Sequence, residues 1–466
     1  MPPTRSAGPP GLLIAAPASG SGKTVLTLSL LRAFRRRGVR VASAKSGPDY
    51  IDPAFHSAAG GRSCVSLDSW AMHPMQIRRL VHRAATEADL FLLEGAMGLF
   101  DGAIGPVPGP RDGSCAALAL QMGLPVVLVV DCRSMLASTA ALIRGFVDHH
   151  PEVRIVGVIL NRIGSSRHGT AIAKAVRATV PDVEILGKVP RSPDLELPAR
   201  HLGLVQAGEA PDLEAFLDKA AGVVAKSVDL SRLQSLAEPL PAAQSSVQAL
   251  GAALLLPPGQ RVALARDEAF AFTYDGVLED WRRDGVEISF FSPLNDEPIP
   301  KRADAVWLPG GYPELHAGRL AGAERFLRSL RAAAAHGLPV FGECGGYMLL
   351  GRGIIDADGH SHAMADLLPL ETDFSPAGRR LRLGYRRARL LGDVPGLGKA
   401  GDRFNAHEFH YAGISWMGAL SGTVSGGGAI AEPVFAVTDA AGIGLDPVGQ
   451  RVGSVAGSFL HLIAKE

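Results

Sequence analysis

Short apolar runs that alternate with longer stretches of helical periodicity constrain this chain more than any other feature in it. In the first half the runs are GLLIAA (11–16), VRVASA (39–44), DLFLLE (89–94), PVVLVV (125–130), VRIVGVIL (153–160) and VEILGKV (183–189). Continuous apolar runs of this length suit strands buried on both faces. Their alternation with helices predicts an α/β fold, a doubly wound parallel sheet, closed by a helix near 211–226. Residues 227–260 change character to Ser, Ala, Gln and Pro and end at the turn signal PPGQ, which reads as a linker with some helix. A second α/β block starts at RVALAR (261–266), continues through VEISFF (286–291), DAVWLPGG (304–311) and LPVFGEC (338–344), and closes with one strand, RVGSVAGSFLH (451–461). The predicted organisation is therefore a first α/β domain over 8–226, a linker over 227–260 and a second domain over 261–466. A length of 466 residues agrees with more than one domain.

The bulk chemistry excludes several classes of function. A formal net charge of +1 leaves no global field to draw the chain to nucleic acid or to a membrane surface. The four cysteines, Cys64, Cys115, Cys132 and Cys344, are scattered without a C-x-x-C pair, so neither a disulfide framework nor a zinc site is expected. MPPTRSAGPPG lacks the apolar core of a signal peptide, and no run approaches the ~20 residues of a membrane helix. A soluble cytoplasmic enzyme is expected, and a homodimer is the ordinary assembly for one.

Two motifs carry chemistry. PASGSGKT (17–24) follows a predicted strand and opens a predicted helix, the setting that a phosphate-binding loop requires. Glycines such as Gly20 and Gly22 let backbone N–H groups turn inward onto phosphate, and the helix N-terminus adds partial positive charge. Lys23 would reach the β- and γ-phosphates of ATP, and the Thr24 hydroxyl would bind Mg²⁺. Pro17 replaces the first consensus glycine. Candidate acidic partners are Glu94, at the end of a buried strand where a carboxylate is costly without a partner, and Asp101 in the following loop. SAKSGPDYIDPAFH adds Lys45, Asp49 and Asp52 beyond the second strand; alternatively, the two aspartates only cap turns beside Pro48 and Pro53.

The second motif is LPVFGECGGYMLLG (338–351). An apolar strand ends at Cys344 and two glycines open a helix, which would expose a nucleophile on a tight strand-to-helix turn. An inert buried cysteine is the other reading, better suited to Cys115 or Cys132. His461, in the last predicted strand, is the expected base, with His407 and His410 of NAHEFHY as further candidates. A backbone N–H near Gly311 in WLPGGYPE would form part of an oxyanion hole.

With these residues in view, the second block resembles the class I glutamine amidotransferases, an α/β flavodoxin-like domain, in the branch attached to cobalamin-biosynthesis synthetases. PGGYPE, GECGGYMLLG, HEFHY and SFLH carry the likeness. The first block resembles the synthetase domain of the same branch, related to dethiobiotin synthetase, through SGSGKT, SGPDYIDP, EGAMGLFDG and GVILNR. Together they resemble the hydrogenobyrinic acid or cobyrinic acid a,c-diamide synthase family, and GPDYIDPAFH speaks against the cobyric acid synthases. That resemblance implies a cytoplasmic, magnesium-dependent ligase for which ATP, L-glutamine and a corrin polyacid are substrates. It places Thr24, Glu94 and one of Asp49 or Asp52 around Mg²⁺, and Asn161 at adenine. Lys45 would stand near the γ-phosphate or the substrate carboxylate, and Tyr50 and Asp101 on the substrate side. It also implies a guarded route for ammonia from Cys344 to the ATP site. One departure stands out: most class I glutaminases carry a glutamate two residues after the catalytic histidine, and here that residue is Ile463. The Ala/Arg/Gly-rich composition favours hydrogenobyrinic over cobyrinic acid. Other readings are a different tetrapyrrole polyacid, such as nickel-sirohydrochlorin, and a nucleotide-switched partitioning regulator with a dead glutaminase domain. The stretch GRRLRLGYRRARL (378–390) is either a set of arginine forks for corrin carboxylates or a solvated, arginine-rich edge strand.

Overall fold

The apolar runs of the first half become the strands of one sheet. The structure, a computed structural model, describes residues 8–104, 111–196, 212–241, 253–417 and 431–466. These fall into two compact units; apart from the short stretch 104–106, the first runs to residue 252 and the second from Ala253 to Glu466. In the first unit the strands are β1 (Pro10–Ala15), β2 (Val41–Ser46), β3 (Cys64–Leu67), β4 (Leu90–Glu94), β5 (Val126–Asp131), β6 (Ile155–Ile163) and β7 (Glu184–Pro190). Their order is β3-β2-β4-β1-β5-β6-β7, all parallel, with β8 (Glu238–Pro239) antiparallel against the start of β1. Burial on both faces explains why these runs show no alternation. β3 was not expected: CVSL is four residues long and contains a serine, too short a signal to separate from a turn.

Helix α1 (Lys23–Arg36) begins at the end of the glycine-rich loop and buries Leu26, Leu30, Leu31 and Phe34 against the sheet. Truncating a buried phenylalanine such as Phe34 to alanine costs about 3–5 kcal/mol. Helix α2 (Asp52–Gly60) starts with Pro53 in its first turn, where the missing N–H is not needed. The order reverses around β1, so the carboxyl ends of β1, β2, β4 and β6 gather at one place, the position where open α/β sheets bind ligands. The stretch read as a linker contributes β8 to the first unit, while Leu254 and Leu255 are buried in the second. Its segment 242–252 lies outside the described residues, as do 1–7 of the N-terminal stretch.

The second unit carries β9 (Arg261–Ala265), β10 (Glu287–Phe291), β11 (Ala305–Leu308), β12 (Val340–Glu343), β13 (Gly353–Ile355), β14 (Ser361–Ala363), β15 (Leu370–Asp373), β16 (Arg382–Leu390), β17 (Arg403–His410), β18 (Gly413–Met417), β19 (Phe435–Asp439), β20 (Gly444–Val448), β21 (Gln450–Val452), β22 (Val455–Ser458) and β23 (Leu460–Lys465). The main sheet, β10-β9-β11-β12-β22-β21, is parallel except at β21. A second sheet, β20-β19-β16-β17-β23, is antiparallel, and β14-β13-β15-β18 form a small third one.

Two expectations are corrected here. The single closing strand over 451–461 is three strands in two sheets. Gly453 turns β21 into β22 at a φ of 58°, and the Ser458 hydroxyl accepts from Leu460 N–H at 2.9 Å where the chain leaves the parallel sheet. His461 is therefore the second residue of β23, not a strand end. Single glycines and serines within RVGSVAGSFLH do not show in sequence where one sheet hands the chain to another. The arginine-rich stretch is not an edge strand either: β16 lies between β17 and β19, and Arg386 forms an ion pair with Glu408 at 2.7 Å.

Candidate functional site

The first site is built on the loop between β1 and α1. Gly20 and Gly22 hold φ values of 77° and 85°, the left-handed region that L side chains rarely adopt. A side chain at Gly22 would also collide with the Asn161 amide. The loop is tethered from the end of β6. Asn161 Nδ2 donates to Ser21 O at 2.9 Å, and Arg162 Nη1 donates to Gly20 O at 2.7 Å and to Asp131 Oδ2 at 2.6 Å. Asn161 Oδ1 accepts from Arg162 N–H at 2.9 Å. Asn161, expected at adenine, lines this side of the loop with its side-chain amide hydrogen-bonded to protein backbone. A cavity of about 900 Å³ opens over the loop, lined by Lys23, Thr24, Asn161, Arg133, Pro190 and Arg191 among others.

Glu94, the last residue of β4, is fully buried and is held on two sides. Its Oε1 accepts from Thr24 Oγ1 at 2.6 Å and lies 3.4 Å from Lys23 Nζ; its Oε2 is 2.6 Å from His56 Nε2. Burial alone would raise its pKa, but Lys23, the His56 hydrogen bond and Lys45 outweigh that and hold the carboxylate well below its usual range. His56 is also fully buried. Burial opposes its charge, yet the neighbouring Cys64 and Glu94 outweigh it and raise His56 to about 10. Lys45, across the strand pair from Glu94, stands 3.3 Å from Asp52 and 3.6 Å from Asp49. Burial and the Asp49 charge push Asp52 up to about 6 despite Lys45. Asp49 also receives the Ile51 and Asp52 N–H groups at 2.8 and 3.0 Å, so it caps the start of α2 as well as facing Lys45. Tyr50 is half-buried beside this cluster in sequence. Asp101 is exposed, and its Oδ2 accepts from Gly98 N–H at 2.9 Å, closing its own turn. His56 was missed in the sequence, although it closes the GPDYIDPAFH stretch; nothing in a one-dimensional pattern pairs it with Glu94.

The second site centres on Cys344, between β12 and the helix Gly345–Leu350. Its backbone sits at φ 45°, ψ −100°, a strained conformation for any residue with a side chain, costing about 1–3 kcal/mol. Surrounding contacts impose it: Cys344 N–H donates to Ser458 O at 2.8 Å, and Gly346 N–H donates to Pro309 O at 3.0 Å. A side chain at Gly346 would collide with Leu308 O, so the helix can start only this close to β11. Gly311 N lies 3.0 Å from where a Gly345 side chain would begin, facing the first turn after Cys344. His461 packs against Gly310, whose side chain, if it had one, would collide with the imidazole. Burial, then His407 and His410, lower His461 to about 3. Burial and Glu314 raise the Cys344 thiol far above its ordinary range. Both shifts favour the uncharged forms of the thiol and the imidazole.

Where a glutamate would orient the histidine, Ile463 is fully buried in the core. The backbone beside His461 is held instead by Glu343, whose Oε1 accepts from Leu462 N–H at 2.9 Å. Of the other candidate bases, His410 bonds to Glu408 at 3.2 Å and stacks on Phe459 at 4.0 Å, while His407 is paired across the strands with His461. Among the described residues, the three ligating side chains that close on one another are Asp356, Asp358 and His360. They belong to the β13–β14 turn, where Asp356 Oδ1 accepts from Asp358 and His360 N–H at 2.9 Å each.

A glycine-rich loop beside a buried carboxylate, and a strained cysteine in the same unit as a buried histidine, thus occur in one chain. Residues 12–205 match the model of the CobQ/CobB/MinD/ParA nucleotide binding domain, and residues 261–466 that of the CobB/CobQ-like glutamine amidotransferase domain. The chain is 49% identical over 453 residues to a hydrogenobyrinate a,c-diamide synthase of Rhizobium meliloti, covering 97% of this chain and 99% of that one. It is 51% identical over 454 residues to that of Brucella abortus, covering 97% and 98%. With that of Rhodobacter capsulatus it shares 50% identity over 459 residues, covering 98% and 100%.

Proposed function

The chain belongs to the hydrogenobyrinate a,c-diamide synthase family, and on that premise we propose how its two sites divide one amidation between them. The protein is a ligase that uses ATP and glutamine to convert carboxylate side chains of hydrogenobyrinic acid to amides. The observation that carries this reading is that the likeness runs through both the cradle and the Cys344 turn, so neither half is a bystander. The a and c acetates are the groups amidated. The parallel strand order β10-β9-β11-β12-β22 supports the reading of this unit as a flavodoxin-like, class I amidotransferase domain.

A carboxylate does not accept ammonia at a useful rate, because oxide is a poor leaving group. Transfer of the γ-phosphoryl of ATP to the substrate carboxylate makes an acyl phosphate, and ammonia then displaces phosphate. Lys23 and the loop N–H groups hold the phosphates in line, and Lys45 offsets negative charge on the substrate side. Asn161 and Arg162 keep the loop carbonyls turned away from the phosphates.

Magnesium fits this donor set. Thr24, Glu94 and one of Asp49 or Asp52 are hard oxygen donors, and Glu94 is kept ionised. The three carboxylates do not themselves close to ligand distance of one another, and Lys45 stands beside both aspartates. That suits a metal taking only one or two protein carboxylates together with substrate phosphates. When bound, Mg²⁺ would neutralise charge on the transferring phosphoryl group.

In the other unit, Cys344 Sγ attacks the side-chain amide carbon of glutamine while His461 takes the thiol proton. Gly311 N–H receives the developing oxyanion. His461 returns the proton to the leaving ammonia, and water then hydrolyses the thioester to glutamate. No helix of the described residues is long and apolar enough to cross a membrane. We place the enzyme in the cytoplasm as a homodimer.

The product mass tests this. Purified protein with ATP, Mg²⁺, glutamine and hydrogenobyrinic acid is expected to give a diamide with release of ADP, phosphate and glutamate. Preferential amidation of cobyrinic acid in a parallel reaction would move the substrate to the cobalt form. ATP hydrolysis without amidation of either would return the regulator reading.

A further inference from the structure

We propose that Glu314 is the anchor for the α-ammonium group of glutamine at the Cys344 site. The inference rests on the glutaminase reading and adds the recognition of its substrate.

Glu314 follows the glycine turn of β11, in the 3₁₀ turn Pro313–His316. That segment lies directly on the nucleophile's turn. Gly346 N–H donates to Pro309 O at 3.0 Å, and a side chain at Gly345 would start 2.8 Å from Pro313 Cδ and 3.0 Å from Gly311 N. Glu314 is thus one residue beyond the contact surface, and after burial its charge is the largest influence raising the Cys344 thiol.

Three acids surround this nucleophile, and two have evident tasks. Glu343 accepts from Leu462 N–H at 2.9 Å, and Glu408 is held by Arg386 at 2.7 Å and His410 at 3.2 Å. Glu314 differs: its Oε2 is shielded from solvent and has no hydrogen-bond partner among the described residues. Burial pushes its carboxyl up to about 7. A shielded carboxylate oxygen without a cation or a hydrogen-bond donor is unfavourable until something supplies one. Free glutamine brings a cationic α-ammonium on the same molecule as the amide that Cys344 attacks. The α-carboxylate, of like charge, is excluded from the same place, so one residue sets the orientation of the amino acid. Pairing with the ammonium also cancels the field that Glu314 places on the thiol, so the nucleophile ionises more readily when glutamine is seated.

The test is hydrolysis of L-glutamine against glutaramate, which keeps the amide and the carboxylate but lacks the amino group. Full-length protein with ATP and hydrogenobyrinic acid is used throughout. Wild type should prefer glutamine by about 10²-fold or more in kcat/KM. Glu314→Gln should reduce that preference to below about tenfold, chiefly through a raised KM for glutamine, and Glu314→Asp should keep part of it. Retention of the wild-type preference in E314Q overturns the proposal, as does a loss confined to kcat with the preference intact. Should E314Q fail to fold, the wild-type ratio still decides: equal use of the two amides leaves no ammonium site to assign. Absence of glutamine hydrolysis in wild type would instead overturn the glutaminase reading itself.

Discussion

His56 Nε2 stands 2.6 Å from Glu94 Oε2, with neither side chain exposed to solvent. The contact ties α2 to the end of β4, beside the Thr24 hydroxyl on the other carboxylate oxygen. Removing one partner of a buried charged pair leaves the other uncompensated and costs about 3–5 kcal/mol. His56→Ala should therefore lower the unfolding temperature of the first unit and depress ammonia-dependent amidation, because Glu94 loses its fixed position. His56→Gln, whose amide can donate over a similar reach, should recover part of both. Calorimetry and the ammonia-dependent rate check this, and an unchanged H56A would deny His56 any part in holding Glu94.

Much of this site is legible in the sequence, for identifiable reasons. An acid closing an apolar run, as Glu94 does, stands out because burial there needs compensation. Gly20, Gly22, Lys23 and Thr24 sit in one contiguous motif, and Cys344 is framed by glycines that only a close approach requires. His56 is different, because its role depends on how α2 folds beside β4, and spacing along the chain carries no trace of that. The same holds for Glu343, whose acceptor role toward Leu462 N–H spans two sheets. The closing segment RVGSVAGSFLH reads as one strand because its few polar residues mark no break, while the hand-over at Phe459 is made by one serine hydroxyl. Arginines gave β16 the look of an edge. In fact β16 lies between β17 and β19, and Arg386 is ion-paired with Glu408.

Lys23 and Cys344 separate the two half-reactions. Lys23→Ala should reduce amidation by about 10²-fold or more with either glutamine or ammonia, since the phosphoryl group loses a preorganised cation. Cys344→Ala should abolish glutamine-dependent amidation and leave the ammonia-dependent route in place. Rates with each nitrogen source, measured on the same preparations, check both. Continued ammonia-dependent amidation by K23A would remove the loop from the ATP site, and loss of both routes in C344A would break the division of labour.

Gly310 is a constraint on the base. A methyl there would collide with the His461 ring, so Gly310→Ala must displace the imidazole or the turn that carries Gly311. Misplacement of a catalytic group by about 1 Å can cost about 10²-fold. Glutamine hydrolysis should fall by that order in kcat, and ammonia-dependent amidation should persist. Full glutaminase activity in G310A would show that His461 is not held by this contact.

Glu343 makes stability depend on pH in a definite direction. Its carboxyl is raised to about 8, chiefly by burial, against an ordinary value of 4.5. Below the unfolded value both states hold the proton and the residue contributes no difference. Between 4.5 and about 8 the folded state keeps the proton that the unfolded chain has released, so folding takes up a proton and stability falls as pH rises. At pH 7 this amounts to roughly 3 kcal/mol. Glu343→Gln keeps an acceptor for Leu462 N–H and cannot ionise. The difference in unfolding temperature between E343Q and wild type should therefore shift progressively in favour of the variant from pH 5 to pH 8. A constant difference across that range would mean that Glu343 ionises normally in the folded protein, and that its hydrogen bond to the strand carrying His461 is made by a carboxylate.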